Sequence, residues 1–264
     1  MRGIIQVGDK MVIRKFTKLK DGMYQLTIDD IPDLILHEDL ILKFNLLKTK
    51  NIEIETIRVI KEQNKTYEAY NCAIHYIGKK IRNVKETKEY LLKNHHAESD
   101  IKKAIVLLKK QGYLSNDQYA RAFILDKINM SSDGPLKIKQ DLLNKEIESH
   151  IVEHNLALYT EKIECEKIKK LILKQLKTNH TQSKVALKRK IYVRLMRLGY
   201  HPMLVEHYMK KVKVDDQDIY QKEYQKIYDK LSKKYTGKEL EFRVKQKMYQ
   251  KGFTQNSYDL ENNY

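Results

Sequence analysis

The stretch Lys190-Ile191-Tyr192-Val193-Arg194-Leu195-Met196-Arg197-Leu198-Gly199-Tyr200 decides the fold, because it returns 53 residues later as Arg243-Val244-Lys245-Gln246-Lys247-Met248-Tyr249-Gln250-Lys251-Gly252-Phe253. Two fainter copies lie upstream, so that four anchors, Leu92, Leu143, Met196 and Tyr249, follow one another at steps of 51, 53 and 53 residues. Such periodicity is the signature of a repeat architecture. Immediately before each anchor stands Leu91, Leu142, Leu195 or Met248, and five before it Thr87, Ile138, Ile191 or Val244. That is the i, i+4 stripe of a helix. Four after each anchor come His96, Ile147, Tyr200 and Phe253, and nine after it Ile101, Val152, Val205 and Tyr258, so a second helix follows a short turn. Gly199 and Gly252 occupy that turn in the last two copies, as suits a residue at positive φ beyond a helix end. His95 and Glu146 take the same place in the first two.

Working outward, the other residues agree with an all-α repeat region. Only nine glycines and three prolines punctuate 264 residues, too few for a many-stranded sandwich with turns every ten residues or so. The spacing predicts repeats at 66–113, 114–159, 160–214 and 215–264, each long enough for three helices that bury their stripes against one another and against the next repeat. A curved solenoid of tandem three-helix bundles is the expected architecture. Asp133-Gly134-Pro135 marks a break inside the second repeat, with glycine ending one helix and proline opening the next at its first turn.

Residues 1–65 lack the repeat and read as a small β-rich subdomain with an exit helix. Gln25–Ile28 and Leu34–Leu36 are short apolar-rich runs, and Asp21-Gly22 between alternating segments signals a hairpin. Leu40, Ile41, Phe44 and Leu47 then switch to helical spacing over 38–47, and another helix is expected from near Thr66.

Charge narrows the function. The net charge is +17, and residues 161–264 alone hold 25 Lys and Arg against 13 Asp and Glu, whereas residues 116–160 hold 5 against 7. A field of that sign attracts polyanions, with an affinity that falls as salt rises. Lys184, Lys188, Arg189, Lys190, Arg194 and Arg197 fall on one predicted helix and are the first candidates for phosphate contact, joined by Lys79, Lys80 and Arg82. Eighteen tyrosines offer stacking surface, although Lys, Ile, Asn and Tyr rise together here as AT-rich coding would make them. Cys72 and Cys165 lie far apart in a chain without an apolar secretory leader or a run long enough to span a bilayer, and read as small structural thiols in a cytoplasmic protein.

Catalytic signatures are scarce. His150-Ile151-Val152-Glu153-His154 fits the H-x-x-E-H string of inverted zinc proteases, but Val152 is a repeat core position and no third ligand follows, so the match reads as coincidence. His95, His96 and Glu98 read as a solvated turn. The chain shows no phosphate-cradling glycine loop, nucleophile elbow or cysteine cluster. Leu198-Gly199-Tyr200 between two helices has the outline of a helix-turn-helix, yet it recurs in every repeat and reads as scaffold.

The run Gln111-Gly112-Tyr113-Leu114-Ser115-Asn116-Asp117-Gln118-Tyr119-Ala120-Arg121, followed by Asp133-Gly134-Pro135-Leu136-Lys137-Ile138 and Leu142-Leu143, resembles the regulatory protein RecX family. Members carry a G-[YF]-[IL]-x-D-x-x-[YF]-A run and then a G-P-x-x-I-x-x-x-L run within tandem three-helix repeats, in some behind a β-rich segment. Ala73-Ile74-His75-Tyr76-Ile77, Arg82-Asn83-Val84-Lys85-Glu86 and Lys251-Gly252-Phe253 are similar to further runs of that family, with asparagine at 83 where serine is usual. Departures are His95 and Glu146 for glycine, and a third repeat recognisable only by period.

The resemblance implies a non-enzymatic modulator that binds the RecA recombinase filament on single-stranded DNA and limits its growth, and with it recombination, DNA repair and the SOS response. It implies no cofactor, metal or membrane, and the chain is expected to act as a monomer. Gly112, Tyr113, Asp117, Tyr119, Ala120, Gly134, Pro135 and Ile138 are expected to be chiefly structural, and the third and fourth repeats to supply the phosphate-facing charge. A competing reading is a sequence-tolerant DNA- or RNA-binding helical repeat protein without a recombinase partner, and a third is the metallopeptidase suggested by the histidines.

Overall fold

The computed structural model describes residues 10–20 and 22–253. Asp21 and Tyr258 lie outside them. Over the described residues the chain is mainly α, with a small antiparallel sheet at its amino-terminal end. It divides into two units, one reaching Tyr119 and including Lys145–Glu148, the other comprising Ala120–Asn144 and everything from Ser149 onward.

The first unit opens with strands β1 (Lys10–Lys18), β2 (Met23–Ile28), β3 (Leu34–His37) and β4 (Asn51–Glu53), in the sheet order β3-β2-β1-β4. The hairpin forms where its turn residues predict: Lys18 faces Tyr24 and Phe16 faces Leu26, and Gly22 sits at φ 70°. Leu26, Ile28, Leu36 and Ile52 fill the core beneath the sheet.

Two predicted helices differ. Over 38–47 the chain makes only α1 (Glu38–Lys43), because Asn45 turns left-handed at φ 51° and a 3-10 turn follows at Leu46–Lys48. Asparagine tolerates that conformation better than most residues. The helix expected from near Thr66 instead begins twelve residues earlier as α2 (Ile54–Ile77), so the boundary drawn between residues 65 and 66 falls inside one helix. No glycine or proline interrupts Ile54–Ile77. One end of α2 packs Ile57 and Ile60 under the sheet; the other packs Ala69, Tyr70 and Ala73 against α3 (Val84–Lys93) and α4 (Glu98–Lys110). Between them Asn64 donates to the Ile35 carbonyl at 2.8 Å, and Thr66 donates to Asp100 at 2.8 Å.

The remaining helices are α5 (Asn116–Met130), α6 (Pro135–Asn144) and α7 (Ser149–Leu156), then α8 (Glu161–Lys177), α9 (Lys184–Arg197) and α10 (Pro202–Lys211), and last α11 (Gln217–Leu231) and α12 (Gly237–Gln250). Every described stripe position other than the half-exposed His96 is buried: Thr87, Ile138, Ile191 and Val244; Leu91, Leu142, Leu195 and Met248; Ile147, Tyr200 and Phe253; Ile101, Val152 and Val205.

The turn after each anchor is left-handed in all four copies, at φ 63° for His95, 58° for Glu146, 78° for Gly199 and 83° for Gly252. At three of them the amides close a Schellman pair, as where Gly199 N–H donates to Met196 O and Tyr200 N–H to Leu195 O. Only two of the four are glycine because only two are crowded. A Cβ on Gly199 would lie 2.4 Å from Lys137 N, and one on Gly252 2.7 Å from Ser183 Oγ, whereas the Glu146 side chain is mostly in solvent. His95→Gly removes a left-handed side chain with nothing else at stake, and should raise stability by about 1 kcal/mol in urea denaturation of the full chain.

Candidate nucleic-acid interface

A recurring joint fixes the helices that carry the charge. At each joint the residues opening the second helix of one repeat meet the left-handed turn of the next. In the first unit this is side-chain chemistry: Lys85 pairs with Glu146 at 3.1 Å and Lys145 with Glu86 at 3.0 Å, while Asn116 accepts from Val84 N–H and donates to Glu148. Within the second unit backbone meets backbone. Gly134 N–H donates to Leu198 O at 2.7 Å, Leu136 N–H donates to Gly199 O at 3.0 Å, and a Cβ on Gly134 would stand 2.5 Å from Gly199 O. Further on, Ser183 Oγ donates to Lys251 O at 2.9 Å. Gly134 is therefore not the stop of the preceding helix, which ends at Met130; its missing side chain admits the next repeat's backbone. Pro135 does open α6.

A polar cluster holds this crossing. Asp133, buried, accepts from Lys127 and Lys137, each at 2.6 Å, while Tyr159 donates to its carbonyl and Tyr200 to that of Ser132. Burial pushes the Asp133 carboxyl up, but the two lysine hydrogen bonds outweigh it and hold the group below its ordinary value. Burial also pushes the Tyr200 phenol up, to about 12. A carboxyl with a lowered folded pKa stabilises above its unfolded pKa of about 4 and loses that contribution as pH falls through the folded value. Asp133→Asn should cost about 2 kcal/mol at pH 7 and much less near pH 3, read by urea midpoints across pH.

Helix α9 carries the densest charge. Ser183 caps it, accepting from Ala186 N–H at 3.3 Å, and Leu187, Ile191 and Leu195 bury one stripe. The helix contains Lys184, Lys188, Arg189, Lys190, Arg194 and Arg197 and no acidic residue. None of the six cationic side chains makes an ion pair among the described residues. Arg189, Lys190 and Arg197 are exposed, as is Lys184 at the first turn, while Lys188 and Arg194 are half-buried. Lys190, Arg194 and Arg197, at i, i+4 and i+7, share a face. Moving 53 residues on, Arg243 and Lys247 of α12 stand where Lys190 and Arg194 stand in α9. Sequence reasoning overlooked Lys247, although the repeat step itself points to it; Arg243 is spent within the fold, paired with Glu239 at 3.1 Å and lying over the Tyr235 ring at 4.3 Å.

The other candidates belong to the first unit. Lys79 and Lys80 are exposed in the turn after α2. Arg82 is not free in the same way: its guanidinium lies over the Tyr76 ring at 4.4 Å, and Tyr76 stacks on Tyr90 at 3.9 Å. It is a strut between α2 and α3.

The motif residues divide between core and surface. Tyr119, Ala120 and Ile138 are buried, Tyr119 with Lys145 Nζ 5.8 Å from its ring centre. Gly112 takes φ 78° beyond α4 with nothing within 4 Å of where a Cβ would be, so conformation alone selects glycine there. Asp117 is exposed in the first turn of α5. Tyr113, expected to be structural, stands 56% exposed: the left-handed turn at Gly112 sends Leu114 rather than its neighbour into the core. His150, Glu153 and His154 are all exposed, and Glu153 is held by Lys139 at 3.0 Å. Among the described residues no group of three or more His, Cys, Asp or Glu is placed to hold a metal, and no helix is long and apolar enough to cross a membrane.

Comparison with known proteins finds the same pattern. Residues 115–156, the span of α5 to α7, match the family model for the RecX second three-helix domain. The chain is 30% identical over 232 residues to the regulatory protein RecX of Halalkalibacterium halodurans, covering 85% of this chain and 86% of that one. The RecX of Oceanobacillus iheyensis is 27% identical over 232 residues, covering 86% and 84%. Among solved structures, a crystal structure of regulatory protein RecX aligns with TM-score 0.69 at 22% identity, over 76% of this chain and all of that one. RecX from Lactobacillus salivarius aligns with TM-score 0.52 at 26% identity, over 56% and 96%.

Proposed function

This chain belongs to the RecX family of regulatory proteins, and from that premise we propose that it is a non-enzymatic, cytoplasmic modulator of the RecA recombinase, binding the RecA filament on single-stranded DNA and limiting its growth. In this role it restrains recombination, DNA repair and the SOS response. The observation that carries the reading is α9: six cations, no carboxylate, and no ion pair to any described residue. Guanidinium and ammonium groups that leave their charge unspent within the fold are available to phosphate oxygens. The chain is taken as a β-rich subdomain and four repeats near 66–113, 114–159, 160–214 and 215–264, the first completed by the second half of α2. The joints support this role, because backbone-to-backbone crossings such as Gly134 on Gly199 hold α6 and α9 at fixed register.

The test is single-strand-dependent ATP hydrolysis by preformed RecA filaments with this chain titrated in, beside its binding to the same bare oligonucleotide. Inhibition at concentrations too low to coat bare DNA is expected. Hydrolysis that falls only as the oligonucleotide saturates would replace this reading with that of a sequence-tolerant nucleic-acid binder lacking a recombinase partner.

A further inference from the structure

Helix α12 carries a second stripe that the fold does not use. Lys238, Phe242, Lys245 and Tyr249 recur at i, i+4, i+7 and i+11, which places cation, ring, cation and ring along one face. At 100° per residue this face lies roughly 130° around the axis from the buried stripe of Leu240, Val244 and Met248. Phe242 is 66% exposed and Tyr249 71% exposed, and both lysines are exposed without an ion pair among the described residues. Packing does not require these rings. One repeat earlier the same register positions hold Arg189 and Met196, in a helix with the same buried stripe.

From this we infer that the Lys238–Phe242–Lys245–Tyr249 face is a stacking platform for the unpaired bases of a single-stranded nucleic acid. The inference rests on the proposed function and adds to it the place where bases, rather than phosphates, are held. Aromatic faces stack on any base, and lysines between them neutralise the backbone that joins successive bases. The two rings are seven residues apart, about 10.5 Å along the helix, or about three times the rise per nucleotide of one strand. Tyr249 and Lys245 line a small hollow together with Tyr220 and Tyr224 of α11. On α11, Tyr220, Tyr224 and Tyr228 stack in turn with centroids 6.1 and 6.2 Å apart. Charge complementarity selects this occupant over an apolar one, since residues 161–264 carry 25 basic residues against 13 acidic.

The experiment compares the full chain with Phe242→Leu/Tyr249→Leu, which keeps apolar bulk and removes both rings, and with Lys238→Glu/Lys245→Glu. Binding to a labelled oligothymidylate and to a duplex is read by anisotropy across a salt series, with thermal melts to confirm folding. The leucine variant should lose about tenfold per ring for the single strand, with its duplex affinity and its salt dependence unchanged. The glutamate variant should weaken both and flatten the salt dependence. A leucine variant that binds the single strand as the wild type does, or that weakens single strand and duplex equally, overturns the platform. So does one that keeps the bare oligonucleotide but loses the RecA filament, because the stripe would then cover protein. Failure of the wild type to bind either nucleic acid or filament would instead overturn the proposed function.

Discussion

Replacing Gly199 with alanine is expected to cost about 3–5 kcal/mol, several times the cost of the same change at Gly112. Both glycines sit at φ 78°, so both variants incur the left-handed penalty of about 1–2 kcal/mol. They differ in what a methyl group meets. At Gly112 it enters open space; at Gly199 it arrives 2.4 Å from Lys137 N and 2.6 Å from Lys137 Cβ. The first of these is backbone at the start of α6, and cannot rotate aside as a side chain would. Relief requires the two helices to part, breaking the hydrogen bonds from Gly134 N–H and Leu136 N–H that close the crossing. Overpacking of this kind adds about 1–3 kcal/mol, and the lost pairing adds more. Denaturant midpoints of the two variants against the wild type measure the difference. Equal losses would mean that the crossing yields freely and that conformation alone accounts for glycine at 199.

The second large effect concerns binding. The triple reversal Arg189→Glu, Lys190→Glu, Arg197→Glu touches only exposed side chains of α9, so folding should survive it. Lys188 and Arg194 are poorer choices because each is half-buried along its stem. If the three cations each meet one phosphate, the slope of log affinity against log salt for single-stranded DNA should fall by about 2, at about 0.7 per contact. Extrapolated to physiological salt, this corresponds to about a fiftyfold loss of affinity. A variant that is folded by circular dichroism yet keeps the wild-type salt slope would remove α9 from the interface.

Much of this molecule was legible in its residues. The fourfold stripe placed the buried positions of the repeats, Thr87 included as the polar member of an apolar series and half-exposed His96 as its one exception, and Asp21-Gly22 placed the hairpin beside Gly22. The helices misjudged were those where local signals run out. Nothing in Ile54–Ile77 marks a change of partner, because a helix with two apolar patches in sequence looks the same whether one core or two receives them. Asn45 ends α1 by a left-handed turn that asparagine permits but does not demand. The candidate interface was half legible. The charge on α9 was plain, but Arg82 spends its guanidinium on Tyr76, which no spacing reveals, and Tyr113 faces solvent although the next residue, Leu114, is in the core.

The sequence by itself determined the period, the helical class and the sign of the field, since each depends on residue type and on contacts a few positions apart. Tertiary structure decided why glycine is needed at 134 and 199 but not at 95 or 146. All four turns after the anchors have the same left-handed backbone, yet only some meet another backbone closely enough to exclude a side chain, and that distance is set by residues some sixty positions away. It also decided which charges remain free, because a lysine or arginine becomes available to a partner only when no ring or carboxylate of its own fold has reached it first.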